Sequence, residues 1–431
     1  MRTISSMTFY RTRVLDAELD ALLPGLPAIS IEGPKGVGKT ATALQRAAQV
    51  LRLDQPAQAQ LLAADPRRLA EGPYPILVDE WQRLPVAWDL VRRAVDDDPT
   101  GGRFLLTGSA APSTAPMHSG AGRIVTLRMR PLTLAERGVC TPTVSLAQLL
   151  DHGVDPDLVA GRCRLELRDY TAEIVSGGFP GFHGGSDRAV RAALDGYLQR
   201  IVEVDLPDAG TAVRRPETLR RWFSAYAAAT STTASYEAIR DAATAGEGDK
   251  PAKTTTGPYR DALQRLFVLE PLNAWAPTFN HLRRLSSAPK HHLADPALAA
   301  RLLGVDAGAL LRGEGNQIVQ RDGALLGALF ESLVTLIVRV SAQAAEARVL
   351  HFRSWRGEQE VDLIVERGDH RVLGLEVKLS GAVDDRDVRH LVWLRDQLGD
   401  DFLGGAVLTP GTHAYCRPDG IAVIPIGLLG P

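Results

Sequence analysis

Residues 27–40 read PAISIEGPKGVGKT, a short apolar run followed by a glycine-rich turn, and this stretch decides how the first part of the chain is read. The apolar run has the length and composition of a buried parallel strand. The turn, Gly33-Pro34-Lys35-Gly36-Val37-Gly38-Lys39-Thr40, fits G-x-x-x-x-G-K-T. Glycines let backbone N–H groups turn inward and approach phosphate oxygens, and the N-terminus of a following helix adds positive charge. Lys39 would reach the β- and γ-phosphates of a nucleoside triphosphate, and the Thr40 hydroxyl would hold Mg²⁺. The stretch TALQRAAQVL (42–51) reads as the helix that follows.

Two more strands of the same kind lie downstream, with helix-length segments between. PILVDE (75–80) ends in an acidic pair, so Asp79 would bind Mg²⁺ and Glu80 would polarise the attacking water. RFLLTGS (103–109) ends in hydroxyls. Thr107 and Ser109 are candidates to sense the γ-phosphate or align water, or are ordinary turn residues. GRIVTLRMRPLTLAER (122–137) reads as a strand, a turn and a helix start. Arg123 within it is a candidate source of transition-state charge or a structural arginine. The expected architecture is a βαβ parallel sheet covered on both faces.

At these residues the chain resembles the AAA+ superfamily. More narrowly, it resembles bacterial and archaeal ATPases in which such a domain precedes a C-terminal region of another kind. GPKGVGKT, LVDEWQRLP, RFLLTGSA and GRIVTLRMRPLTLAER match in order, and GGFPG, YLQRIVEVDL, YRDALQRLFVLEPLNAW and PKHHLAD follow. The resemblance implies a P-loop NTPase, ATP and Mg²⁺ as cofactors, and a middle segment made of a helical lid and a winged-helix-like module. It also implies oligomeric relatives in which a neighbour's arginine completes the site.

The chain then divides into three blocks: 1–165 for the ATPase core, 166–315 for the helical middle and 316–431 for a C-terminal α/β domain. The middle carries helix-spaced apolar positions at 187–206 and 216–229, and a small, polar stretch at 241–257 that reads as a loop. The third block opens with a helix near 327–345 and continues with strands 351–355, 360–366, 372–379, 404–410 and 421–426 around a helix at 384–398.

Glu331 lies on that opening helix. Glu360 and Asp362 share one strand face at i, i+2, and Glu376 and Lys378 share a face of the next strand. The turn Arg367–His370 makes the two strands a hairpin. The order Glu…Asp-x13-Glu-x-Lys resembles the PD-(D/E)xK restriction-nuclease fold. That resemblance implies Asp362 and Glu376 as Mg²⁺ ligands, Glu331 as an accessory ligand and Lys378 as the group that orients water. The same tripeptide is also common as an edge salt-bridge ladder.

Residues 277–294 hold His281, Arg283, Arg284, Lys290, His291 and His292 with no acid, either a face for a phosphate backbone or a solvated surface. DNA is therefore a candidate partner, despite a net charge of only −2 that excludes a wholly basic nucleic-acid binder. Six of the 49 basic residues are lysine, and Lys39 and Lys378 fall where the proposed chemistry needs an ammonium. Cys140, Cys163 and Cys416 form no disulfide framework. The N-terminus lacks a signal pattern and no apolar run approaches about 18–20 residues, so a cytoplasmic protein with no membrane span is expected. The functional expectation is an ATPase whose turnover drives or switches the C-terminal module. The alternatives are an ATP-regulated nuclease or DNA-binding protein, and a nucleotide-dependent protein-binding switch.

Overall fold

Two units divide the chain, Met1–Met129 and Arg130–Pro431. The computed structural model describes residues 10–69, 71–109, 120–211, 213, 215–244, 252–276, 288–312, 323–354 and 357–431.

The first unit is built on five parallel strands: β1 (Ala28–Glu32), β2 (Gln49–Arg52), β3 (Ile76–Asp79), β4 (Phe104–Gly108) and β5 (Ile124–Arg128). Their order is β2-β3-β4-β1-β5. The central strands are apolar throughout because both faces are covered. Ile76, Val78, Phe104 and Leu106 pack with Val91 and Val95 of helix Val86–Asp97 and with Trp81. Each such fully buried side chain contributes about 1.5–3 kcal/mol. The register sets Asp79 beside Thr107, and Glu32 beside both Gly108 and Arg128. The strand ends that carry polar residues therefore meet at one edge.

The expected helix over 42–51 is corrected. Helix Lys39–Leu44 stops early, and Gln49–Arg52 is strand β2. The amides of Ala48 and Gln49 donate to the Pro75 carbonyl at the start of the pairing with β3. Helix propensities differ by only tenths of a kcal/mol per residue, so ladder hydrogen bonds and the burial of Leu51 and Leu53 prevail.

The second unit joins a helical part to a seven-stranded mixed sheet. The helices include Leu167–Ser176, Asp187–Arg200, Pro216–Ala228, Tyr236–Ala242, Lys253–Arg265 and Pro296–Leu302. Lys253–Gly257 are helical, so the loop expected over 241–257 is shorter at that end; residues 245–251 lie outside the described set. The remaining strands are β6 (Val144–Ser145), β7 (Gly161–Arg162), β8 (Arg348–Arg353), β9 (Glu360–Glu366), β10 (Val372–Val377), β11 (Phe402–Thr409), β12 (His413–Cys416), β13 (Ala422–Pro425) and β14 (Leu429–Gly430). The sheet runs β7-β12-β13-β11-β10-β9-β8, and β6 pairs with β14. β9 and β10 form the expected antiparallel hairpin, while β10, β11 and β13 are parallel. Helix Asp385–Leu398 starts at a capping box between Asp384 and Asp387. It lays Val388, Leu391 and Leu394 on Val361, Ile364, Val372 and Val407.

Helix Gly323–Ala344 revises the reading of apolar runs. Its segment Ala324–Ala344 is long and apolar enough, by length and composition, to cross a membrane. Two thirds of its most apolar stretch is buried inside the protein, where Leu329, Phe330, Leu333, Val334, Ile337 and Val338 form core. It also carries a partly buried Glu331 and a buried Arg339, each with protein partners. It is a core helix of the second unit.

Candidate nucleotide site and a buried carboxylate cluster

The phosphate loop is shaped by its glycines. Gly36 and Gly38 adopt φ of 78° and 103°, in the left-handed region that side chains disfavour. A Cβ on Gly33 would come within 2.1 Å of the Met129 carbonyl oxygen. Lys39 is 5% exposed, and its Nζ donates to the Gly33 and Pro34 carbonyls at 2.8 and 2.9 Å. The ammonium is thereby tethered inside the loop. Burial lowers its pKa to about 8, opposed by Glu80 and assisted by Arg128 and Lys35.

Thr40 and Asp79 meet as their spacing suggests. Thr40 Oγ1 donates to Asp79 Oδ1 at 2.7 Å, and Thr107 Oγ1 donates to the same oxygen at 2.5 Å. Thr107 also accepts from the Glu80 amide at 3.4 Å. Glu80 sits at φ 54°, so the chain turns sharply after β3 and Gln82 Nε2 donates to the Glu80 carboxylate. Ser109 is buried just beyond β4. The hydroxyl and carboxylate of Thr40 and Asp79 are hard oxygen donors of the kind Mg²⁺ takes, so the residues present fit that ion.

Arg123 stands elsewhere. It is 43% exposed in its side chain and pairs with Asp96 at 2.5 Å, with a further bond to the Ala121 carbonyl. No loop residue is among these partners. The arginine that acts electrostatically on Lys39 is Arg128, at the end of β5.

Sequence reading missed the support behind the loop. Arg13 is 6% exposed and donates to the Val37 carbonyl at 2.8 Å. Tyr10 bonds the Asp16 carboxylate and the Thr42 hydroxyl, and Arg46 joins Asp16 to Asp20. Helix Val14–Leu22 is thus fastened to the loop and its helix. The signal in the sequence was faint, because Tyr10 and Arg13 belong to no recognisable motif.

In the second unit, the five C-terminal residues with expected or neighbouring roles do come together, around a sixth. Lys290 is 2% exposed, and its Nζ contacts Asp362 Oδ1 at 2.9 Å, Glu331 Oε1 at 3.0 Å and Glu360 Oε1 at 3.2 Å. Asp362 Oδ2 accepts from the Val377 amide at 2.9 Å. Lys378 pairs with Glu376 Oε2 at 3.1 Å, and the buried Glu376 carboxyl lies against Asp362. Burial, then the Asp362 charge, pushes the Glu331 carboxyl up to about 8, and the same two causes raise Glu376 well above its ordinary value. Burial would raise Asp362 as well, but Lys290, the Val377 amide and Lys378 together outweigh it and hold the group low.

These residues do not fit a divalent ion as they stand. An ammonium already occupies the centre of the oxygen donors. Among the described residues no group of three or more His, Cys, Asp or Glu side chains is arranged to hold a metal.

The basic stretch is corrected in its described part. Lys290, His291 and His292 are 1–2% exposed and lie inside the unit, so they present no surface to a phosphate backbone. His291 Nε2 bonds the Ala234 carbonyl at 2.7 Å, and burial first of all drives His292 well below its ordinary pKa. His281, Arg283 and Arg284 lie outside the described residues. The later shared segments have structural work. Asp295 of PKHHLAD accepts from the amides of Ala297 and of Gly178, within GGFPG. A Cβ on Gly178 would strike the Leu132 carbonyl at 2.5 Å.

Residues 26–137 match the AAA domain family. Residues 167–309 match a domain of unknown function (DUF8612), and residues 326–429 another (DUF4143). The uncharacterized protein Rv2008c of Mycobacterium tuberculosis is 27% identical, with 98% of this chain and 85% of the relative covered. Uncharacterized protein Mb2031c of Mycobacterium bovis matches to the same extent. Among solved structures, the Walker-type ATPase PABY2304 of Pyrococcus abyssi is 12% identical at a TM-score of 0.36, covering 67% of this chain and 94% of that one. The first part of the chain carries an AAA-like P-loop domain, the coarse form of the sequence expectation.

Proposed function

We propose that this protein binds MgATP in the loop 33–40 and hydrolyses it to ADP and phosphate, using the turnover to switch residues 130–431. The observation that carries the reading is the convergence of Lys39, Thr40, Asp79 and Thr107 at one sheet edge. Backbone N–H groups of Gly33–Gly38 would bind phosphate oxygens, and Lys39 would exchange its two carbonyl partners for the more negative β- and γ-phosphates. Thr40 and Asp79 would hold Mg²⁺. When bound, that ion supplies positive charge to the phosphate oxygens and lowers the cost of charge shifting to the leaving group. Glu80 would take the proton of the attacking water. In this structure its carboxylate accepts from Gln82, which fixes its direction before substrate arrives. Thr107 and Ser109 would align that water or read the γ-phosphate. Within this chain, Arg128, which acts electrostatically on Lys39, is better placed to supply transition-state charge than Arg123 in its pair with Asp96.

Calorimetry with ATP tests the reading. Lys39→Ala should abolish nucleotide binding. Glu80→Gln should bind ATP as the parent does and lose about 10²–10⁴-fold in turnover, the usual scale of general-base catalysis. Normal ATP binding by Lys39→Ala would overturn the assignment.

A further inference from the structure

We propose that Lys290 is the resident cation of the cluster formed by Glu331, Glu360 and Asp362, beside the Lys378–Glu376 pair, and that it takes the place of a divalent metal there. The observation is geometric and independent of the nucleotide reading. Three elements converge on one ammonium: helix Gly323–Ala344 through Glu331, strand β9 through Glu360 and Asp362, and the segment that carries Lys290 itself. That segment is pinned. Lys290 exchanges both backbone hydrogen bonds with Leu272 at 2.9 and 2.8 Å, and the Glu270 amide donates to the His292 carbonyl at 2.9 Å. The side chain is thus delivered to the acids by a braced backbone.

An ammonium nitrogen needs about 2.8–3 Å to each carboxylate oxygen, whereas Mg²⁺ binds the same oxygens at about 2.0–2.1 Å and needs six of them in near-octahedral array. The two cations demand one space, so occupancy is exclusive. Partly buried carboxylates deprived of a counter-charge are unfavourable, so without Lys290 the cluster must take up another cation or protons. Glu360 borders a groove of about 640 Å³ shared with Ser231, Thr232, Thr233 and Arg353. The pattern that resembles a metal-dependent nuclease therefore serves here as an ammonium-bridged junction between three elements.

Removing the ammonium should convert the junction into a metal site. Mn²⁺ is the probe, titrated into nucleotide-free full-length protein and followed by calorimetry and by the loss of free-Mn²⁺ electron paramagnetic resonance. Lys290→Met should bind one more equivalent of Mn²⁺ than wild type. Free Mn²⁺ at about 100 times its Kd should shift its unfolding equilibrium about 100-fold towards the folded state. Adding Asp362→Asn to Lys290→Met should remove both effects. Wild type and Asp362→Asn should bind equal amounts of Mn²⁺. A folded Lys290→Met that takes up no extra ion would overturn the proposal, as would one equivalent lost from wild type on Asp362→Asn. Should Lys290→Met fail to fold, the wild-type comparison decides alone.

Discussion

Lys39 is buried with a pKa near 8, so its charge is sensitive to pH where most lysines are not. The ammonium persists below pH 8 and is lost as pH rises through that value, while in the unfolded chain it persists to the ordinary lysine range. The unfolded state therefore holds more protons between about pH 8 and 10.5, and the contribution of Lys39 makes stability rise with pH across that window. Nucleotide has the opposite preference, since a triphosphate favours the ammonium. Above pH 8, ATP binding should draw a proton from solution, and affinity should fall towards a tenfold loss per pH unit. Calorimetry at pH 8.5 in buffers of different ionisation enthalpy measures this; a heat independent of buffer would refute it. At this scale the phosphate loop was legible, because eight consecutive residues carry its chemistry. Lys290 was not: its acidic partners are distant in sequence, and the basic neighbours His291 and His292 gave it the look of a surface patch. Composition was the better pointer, since Lys39, Lys290 and Lys378 are three of only six lysines.

Among elements, the strands of the first unit and the β9–β10 hairpin were readable from apolar runs bounded by acids or turns. Strand β2 was not, because Ala47, Ala48 and Gln49 favour helix locally and only the neighbouring β3 decides otherwise. Helix Val14–Leu22 was missed for a related reason: its value lies in what it grips. Arg13 holds the Val37 carbonyl and so steadies the peptide that must face phosphate. Arg13→Ala should weaken ATP binding by about tenfold, the size of one lost hydrogen bond to a charged group, while turnover at saturation changes little. Parallel ATP titrations and saturating rates of the two proteins check this; unchanged affinity would make the contact merely structural.

At the scale of the molecule, the sequence suggested three blocks, with boundaries at 165 and 315, and the fold gathers into two units. The reason is that the second sheet recruits widely separated pieces. β7 comes from 161–162 and joins β12, and β6 at 144–145 pairs with β14 at 429–430. No local pattern announces a two-residue strand. Truncation after residue 400 would remove β11–β14, including the strand that separates β10 from β13. Circular dichroism should show residues 130–400 losing cooperative melting, while the unit at 1–129 keeps ATP binding. Retained cooperativity would mean that the helical part stands alone.

The pairing of β6 with β14 also orders events during synthesis. A chain leaves the ribosome from its N-terminus, at about 5–20 residues per second. The parallel sheet of the first unit has all its strands by residue 128 and can close early. Residues 144–145 and 161–162 must wait for almost everything after them to be translated. During that interval helix Gly323–Ala344, when it emerges, still lacks β8 and β14, two of the elements it packs against. The nascent second unit is thus the stage most in need of a chaperone, and rare codons beyond residue 345 would prolong it.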